Sequence, residues 1–166
     1  MVDPSQKAGR EPVTIADYAS QAMIGNGLAA NFPDDAVLSE ERSEEFMLLL
    51  NDQQRAQVQR FVTDGIGGYV FEEQICAWLD FGKQKTEART WIVDPIDGTR
   101  SFVRGYPFFS TQVALEEDGE LVLGVSACGG GNGKEGDADA EVSTDTTAEM
   151  DAADLSDLAA PPSCGR

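Results

Sequence analysis

In "WIVDPIDGTRSFVRG", residues 91–105, an apolar strand-like triplet runs directly into two aspartates three positions apart, with a proline between them and a glycine after. Thr90 to Val93 reads as a buried strand that delivers Asp94 to the rim of a sheet. Pro95, lacking an N–H, stops ladder pairing there and fixes its own φ. The chain must then turn, so that Asp97 comes back toward Asp94, while Gly98 permits the tight geometry and the amides of Gly98 and Thr99 point outward. Two carboxylates so close repel each other unless a proton or a cation sits between them. Oxygen-only donors select a hard ion, Mg²⁺ rather than zinc, and the Ile96 carbonyl, held in the bend, is a further ligand candidate. Asp-Pro and Asp-Gly are also common turn dipeptides, so the motif alone leaves a plain corner as the alternative.

Working outward, the clearest neighbouring unit is a hairpin. Thr111, Val113 and Leu115 alternate, Asp118-Gly119 supplies the turn, and Leu121, Leu123 and Val125 alternate on the return. Upstream, Ile15, Tyr18, Ala19 and Ala22 share a helical face, and Thr14 with Asp17 matches a capping box, so a helix starts near Thr14. It is expected to fade or bend at Gly25-Asn26-Gly27. Phe32-Pro33-Asp34-Asp35 is a turn into a short strand, Ala36-Val37-Leu38. Ser39 introduces "EERSEEFMLLL", acidic at its start as a helix N-terminus prefers. Residues 51–61 could continue that helix, Gly65-Ile66-Gly67-Gly68 must interrupt it, and residues 72–80 form another short one. Helices mixed with antiparallel strands predict an α+β layered domain.

Composition narrows the function classes. With 12 Lys and Arg against 30 Asp and Glu, the formal charge is −18. So acidic a surface repels nucleic-acid polymers and anionic membranes. No run approaches the roughly 20 apolar residues of a membrane span, and the N-terminus lacks a signal peptide's apolar stretch, so the expected address is cytoplasmic. The three cysteines form no C-x-x-C pair, which suggests neither a disulfide framework nor a zinc site. The complete absence of histidine removes Ser-His and Cys-His nucleophile pairs. Catalysis must run on carboxylates, hydroxyls, backbone amides or metals. From Gly129 to Arg166 two basic residues face nine acidic ones with no aromatic anchor. Residues 129–166 therefore read as a disordered acidic tail, and 1–128 as the globular portion.

Three acidic clusters in order, "PVTIADYASQ" (12–21), "FPDDAVLSEE" (32–41) and "WIVDPIDGTRSFVRGYPFF" (91–109), resemble the signatures of the inositol monophosphatase superfamily of Mg²⁺-dependent, lithium-sensitive phosphatases. Within it the P-V-T-x-x-D-Y pattern, the N-F-P-D-D turn, "LDFGK" (79–83) and "DGTRSFVRG" are most similar to the 3′(2′),5′-bisphosphate nucleotidase branch. The resemblance spans roughly residues 11–128. It implies removal of the 3′-phosphate from adenosine 3′,5′-bisphosphate (PAP), with the sulfated form PAPS as a further substrate, in the setting of sulfate assimilation. It also implies that Glu40, Asp94, Asp97 and the Ile96 carbonyl bind two or more Mg²⁺ ions directly. Asp17 and Thr99 would act as a pair that takes a proton from water, and the backbone of Gly98 and Thr99 would hold the phosphate. Glu41 is the weaker of its acidic pair, and Arg100 or Arg104 would add positive charge for a bisphosphate.

Ser39 stands where the family pattern has glycine, a change tolerated if its φ is negative. After Cys128 the family's Cys-Pro-Asn continuation and its W-D-x-A-A-G motif, which carries another metal-binding aspartate, do not follow. The sequence thus reads as the N-terminal portion of the fold. Its alternative function is a catalytically impaired metal-binding or interaction module, with self-association through the exposed edge of the 111–125 hairpin.

Overall fold

The computed structural model describes residues 13–128 and, for the backbone alone, Ser5–Gln6, Pro12 and Ala140–Ser143. In chain order the elements are β1 (Ser5–Gln6), β2 (Pro12–Val13), α1 (Ile15–Asn31), β3 (Ala36–Ser39), α2 (Ser43–Leu49), α3 (Asp52–Ile66), α4 (Glu72–Leu79), β4 (Arg89–Asp97), α5 (Thr99–Val103), β5 (Ser110–Glu117), β6 (Glu120–Cys128) and β7 (Ala140–Ser143). The sheet runs β3-β4-β5-β6-β7. The architecture is α+β, as expected. Its sheet, however, is mixed: β3 lies parallel to β4, and the other pairs are antiparallel. A parallel pair needs a long crossover, here the α2–α4 segment, whereas a short turn joins β5 to β6.

Two apolar layers hold these elements. Tyr18, Ala19 and Ala22 of α1 meet Phe46, Val58, Val62, Ile75 and Leu79 of the other helices. On the opposite side Leu28 packs with Val37, Trp91, Val93 and Leu115 of the sheet. Each fully buried Leu, Ile or Phe side chain contributes roughly 1.5–3 kcal/mol. α1 is thus the central layer and carries side chains to both cores.

Three expectations about elements are corrected. α1 runs unbroken through Gly25-Asn26-Gly27 to Asn31. Gly25 is there because α4 presses against it: a Cβ at this position would lie 2.3 Å from the Trp78 carbonyl oxygen. The polar 51–61 segment does not continue α2. Leu50 is extended, and Asn51 caps a separate α3 by accepting from the Gln54 N–H while Gln54 Oε1 accepts from the Asn51 N–H. A reciprocal capping box starts a new helix more strongly than a sparse pattern extends an old one. In the hairpin, Asp118 and Gly119 both have positive φ, 53° and 85°, but a bulge between Leu115 and Glu116 shifts the return register. Leu123 therefore faces the core while Leu121 is 58% exposed.

The β6 edge is not open along its length, because β7 pairs with Gly124–Ala127. Apart from that strand, the acidic tail and the boundary after Cys128 lie outside the described residues. Among the described residues no helix is long and apolar enough to cross a membrane.

Candidate functional site

The ladder between β4 and β5 breaks after Asp94 and resumes at Asp97 opposite Ser110, so Pro95 and Ile96 form the irregular step. Both are buried, and the Pro95 carbonyl accepts from the Thr111 hydroxyl at 2.9 Å. A bulge at a strand end re-aims side chains. Here it turns Asp94 and Asp97 toward one cleft. Gly98 follows with φ +86°, and a Cβ on it would stand 2.7 Å from the Phe108 carbonyl oxygen, so both conformation and space require glycine.

A cleft of about 290 Å³ opens at this corner, lined by Glu40, Asp94, Ile96, Asp97, Gly98, Thr99 and Arg100. Six of those seven are the residues singled out from sequence, and the seventh, Arg100, is the cation that stood level with Arg104. Glu40 arrives from the end of β3, which the parallel pairing sets beside β4. Ser39 has no positive φ, so a serine at this position imposes no backbone strain. Of the acidic pair, Glu40 is exposed in the cleft, whereas Glu41 turns inward and is 1% exposed.

Asp17 lies buried beneath this floor at the start of α1. Its two oxygens divide the readings made of it. Oδ2 accepts from the Thr14 N–H at 2.7 Å and from the Thr14 hydroxyl at 2.6 Å, completing the capping box. Oδ1 faces the Thr99 hydroxyl at 3.4 Å, a long contact, while the same hydroxyl lies 2.8 Å from the Ile96 carbonyl oxygen. A hydroxyl has one proton, and the shorter, better bond goes to Ile96. Asp17 and Thr99 are thus adjacent, with the committed bond made elsewhere.

The electrostatics reflect crowding. Burial, then the charges of Glu40 and Asp97, push the Asp94 carboxyl up to about 6, against a hydrogen bond from the Ile96 backbone that lowers it and with Asp17 adding to the rise. Asp94 Oδ1 is buried without a hydrogen-bond partner. Burial also raises Asp17, opposed by the Thr14 hydrogen bonds and reinforced by Glu40. Like charges that cannot separate take up a proton or a cation. An orphaned carboxylate oxygen among oxygen-only donors fits a hard divalent ion. Even so, among the described residues no three carboxylates are drawn together tightly enough to enclose one.

Two residues that sequence reading passed over shape the floor. Gln112, opposite Asp94 on β5, donates from Nε2 to Asp97 Oδ2 at 2.7 Å. Gln21, buried one turn after Asp17 on α1, bonds the backbone of Glu41. Gln21 had a signal, an amide set on an otherwise apolar stripe beside Tyr18 and Ala22. Gln112 had none, because its partner depends on strand register.

Comparison with known proteins places these observations. The profile of the inositol monophosphatase family matches residues 2–132. A 3′(2′),5′-bisphosphate nucleotidase 1 of Candida albicans is 36% identical over 135 residues, covering 74% of this chain and 36% of that protein. The rice (Oryza sativa) 3′(2′),5′-bisphosphate nucleotidase is 35% identical over 133 residues, covering 74% and 37%. Among solved structures, a Thermotoga maritima IMPase superposes with a TM-score of 0.49 at 29% identity, over 76% of this chain and 35% of that one. The chain spans little more than a third of the length of these relatives.

Proposed function

This chain belongs to the inositol monophosphatase family, and we propose that its acidic cleft serves a Mg²⁺-dependent phosphatase that removes the 3′-phosphate from adenosine 3′,5′-bisphosphate. The observation that carries the reading is the convergence of Glu40, Asp94, Ile96, Asp97, Gly98 and Thr99 on one cleft, with Asp17 under it. The substrate class follows the relatives, which are named as 3′(2′),5′-bisphosphate nucleotidases.

In this reading Glu40, Asp94, Asp97 and the Ile96 carbonyl hold the cations. Bound divalent ions supply the positive charge that acidifies a water and offsets charge on the attacking and leaving oxygens. The chain's own part is proton handling and positioning. Asp17, raised by burial, is a stronger base than a surface aspartate. With Oδ2 fixed by Thr14, only Oδ1 is turned toward Thr99. Rotation of the Thr99 hydroxyl from the Ile96 carbonyl to Asp17 Oδ1 leaves a Thr99 lone pair facing the cleft. A water there donates to Thr99 Oγ1 as it attacks phosphorus, the Thr99 proton passes to Asp17 Oδ1, and the P–O3′ bond breaks with the 3′-oxygen taking a proton from solvent. The amides of Gly98 and Thr99 hold the phosphate, and Arg100 adds the one cationic side chain of the cleft lining.

The test is phosphate release from PAP, PAPS, AMP and inositol 1-phosphate, with Mg²⁺, Li⁺ and EDTA arms. Mg²⁺-dependent release from PAP, lost in Asp94→Ala, supports the proposal. The long Thr99–Asp17 contact, with the hydroxyl bonded to the Ile96 carbonyl instead, favours a second reading, a cation-binding module without turnover. Saturable Mg²⁺ binding with no release from any substrate selects it.

A further inference from the structure

We infer that Gln21 and Lys83 clamp the Glu40–Glu41 backbone and thereby fix where the Glu40 carboxylate stands in the cleft; the importance of that carboxylate rests on the function proposed above. Glu40 is exposed at the end of a four-residue strand, where a chain ordinarily frays. The next residue is bound on both backbone groups. Gln21 Oε1 accepts from the Glu41 N–H at 2.7 Å, and Gln21 Nε2 donates to the Glu41 carbonyl at 2.6 Å. One side-chain amide thus does for Glu41 what a neighbouring strand would do.

The second Nε2 proton goes to the Leu79 carbonyl at 3.1 Å, near the end of α4. Gln21 is 2% exposed, so these bonds are made out of water, where losing them is costly. Lys83, in the turn after α4, also donates from Nζ to the Glu41 carbonyl. That turn supports the other end of the same strand: the Val37 N–H donates to the Gly82 carbonyl at 3.1 Å. Gly82 has φ +71°, and a Cβ on it would meet Val37 Cγ2 at 2.6 Å.

The consequence is a shared reference frame. α1 carries Asp17 beneath Thr99 and, one turn later, Gln21 beneath Glu41. One rigid helix therefore sets the spacing between the Asp17–Thr99 pair and Glu40. Outer-shell partners of metal-binding groups commonly change metal affinity by about 10–100-fold when removed. Gln21 and Lys83 are positioning residues in this sense, acting on Glu40 through the backbone beside it.

The test compares the full chain with Gln21→Met, which keeps volume but not the bonds, and with Lys83→Met, which removes the Nζ bond to the Glu41 carbonyl and serves if the first variant folds poorly. Gln59→Met is the control. Gln59 also bonds a loop carbonyl, that of Val70 at 2.7 Å, but away from the cleft. Two readouts are taken: amide hydrogen exchange at Glu41 without metal, and Mg²⁺ affinity by calorimetry. Gln21→Met is expected to speed Glu41 exchange at least tenfold and weaken Mg²⁺ binding about tenfold, with Lys83→Met smaller in the same direction. Gln59→Met should lower the melting temperature with neither effect. Unchanged Glu41 exchange in Gln21→Met, or an equal loss of Mg²⁺ affinity in Gln59→Met, overturns the inference. If the native chain binds no Mg²⁺, the proposed function fails instead, and Glu41 exchange alone decides the clamp.

Discussion

Replacing Asp94 with asparagine should make the metal-free protein more stable while destroying its capacity for cations. The carboxyl is raised from 3.8 to about 6 by burial and by Glu40 and Asp97. A folded-state value above the unfolded one means that the fold holds this proton more tightly. That contribution is fully present below about pH 4 and is lost as pH rises through about 6. At pH 7.5 the native fold therefore carries a charge that it disfavours. The rise from 3.8 to about 6 corresponds to roughly 3 kcal/mol, and because the carboxyl still has partial access to water, about 1–2 kcal/mol is the realistic share. Asparagine keeps the shape and an acceptor for the Ile96 amide without the charge. Urea unfolding in EDTA at pH 7.5 should show Asp94→Asn more stable by that amount, with the gap narrowing as pH falls through about 6 and closing only below about pH 4, where the unfolded carboxyl is protonated as well. Saturating Mg²⁺ should reverse the order, since a ligand at 100 times its Kd adds about 2.7 kcal/mol to the form that binds it. An asparagine variant less stable than the native chain in EDTA at pH 7.5, or an advantage independent of pH, would refute the electrostatic reading of the cleft.

Other expectations follow from the same geometry. Gly25→Ala improves helix propensity by up to about 1 kcal/mol, yet its Cβ would meet the Trp78 carbonyl oxygen at 2.3 Å; net destabilisation of more than about 2 kcal/mol is expected by urea unfolding. Gly98→Ala combines a left-handed φ with a 2.7 Å approach to the Phe108 carbonyl. It should cost about 2–4 kcal/mol, and a native-like melt would count against the tight corner. Gln112→Ala removes the bond that holds Asp97 from an exposed strand position. Stability should change by less than about 0.5 kcal/mol, while Mg²⁺ affinity, read by calorimetry, falls severalfold. For the native chain, Mg²⁺ affinity should fall as pH drops through about 6, because Asp94 takes up a proton that competes with the ion; constant affinity from pH 7.5 to 5 would remove Asp94 from the ligand set.

Much of this molecule is local and therefore written along the chain. The Thr14–Asp17 capping box, the Asp118-Gly119 turn and the Asp-Pro-x-Asp-Gly corner each depend on residues within about four positions of one another, and each forms. The acidic clusters named their own candidates for the same reason, since charge, hydroxyl and glycine at fixed short spacing constrain chemistry before any packing is known. What spacing could not convey was distance between segments. The parallel setting of β3 beside β4 brings Glu40 to Asp94 across more than fifty residues, and only the crossover through three helices produces it. Gly25 looked like a helix breaker until the backbone of α4 was found against it. Gln21 and Gln112 acquire meaning solely from backbone and carboxylate partners that other elements deliver. Local preference chose the elements and the chemistry they carry; burial, which rewards one mutual arrangement of their apolar faces, decided which carboxylates meet, and so whether they share a cleft at all.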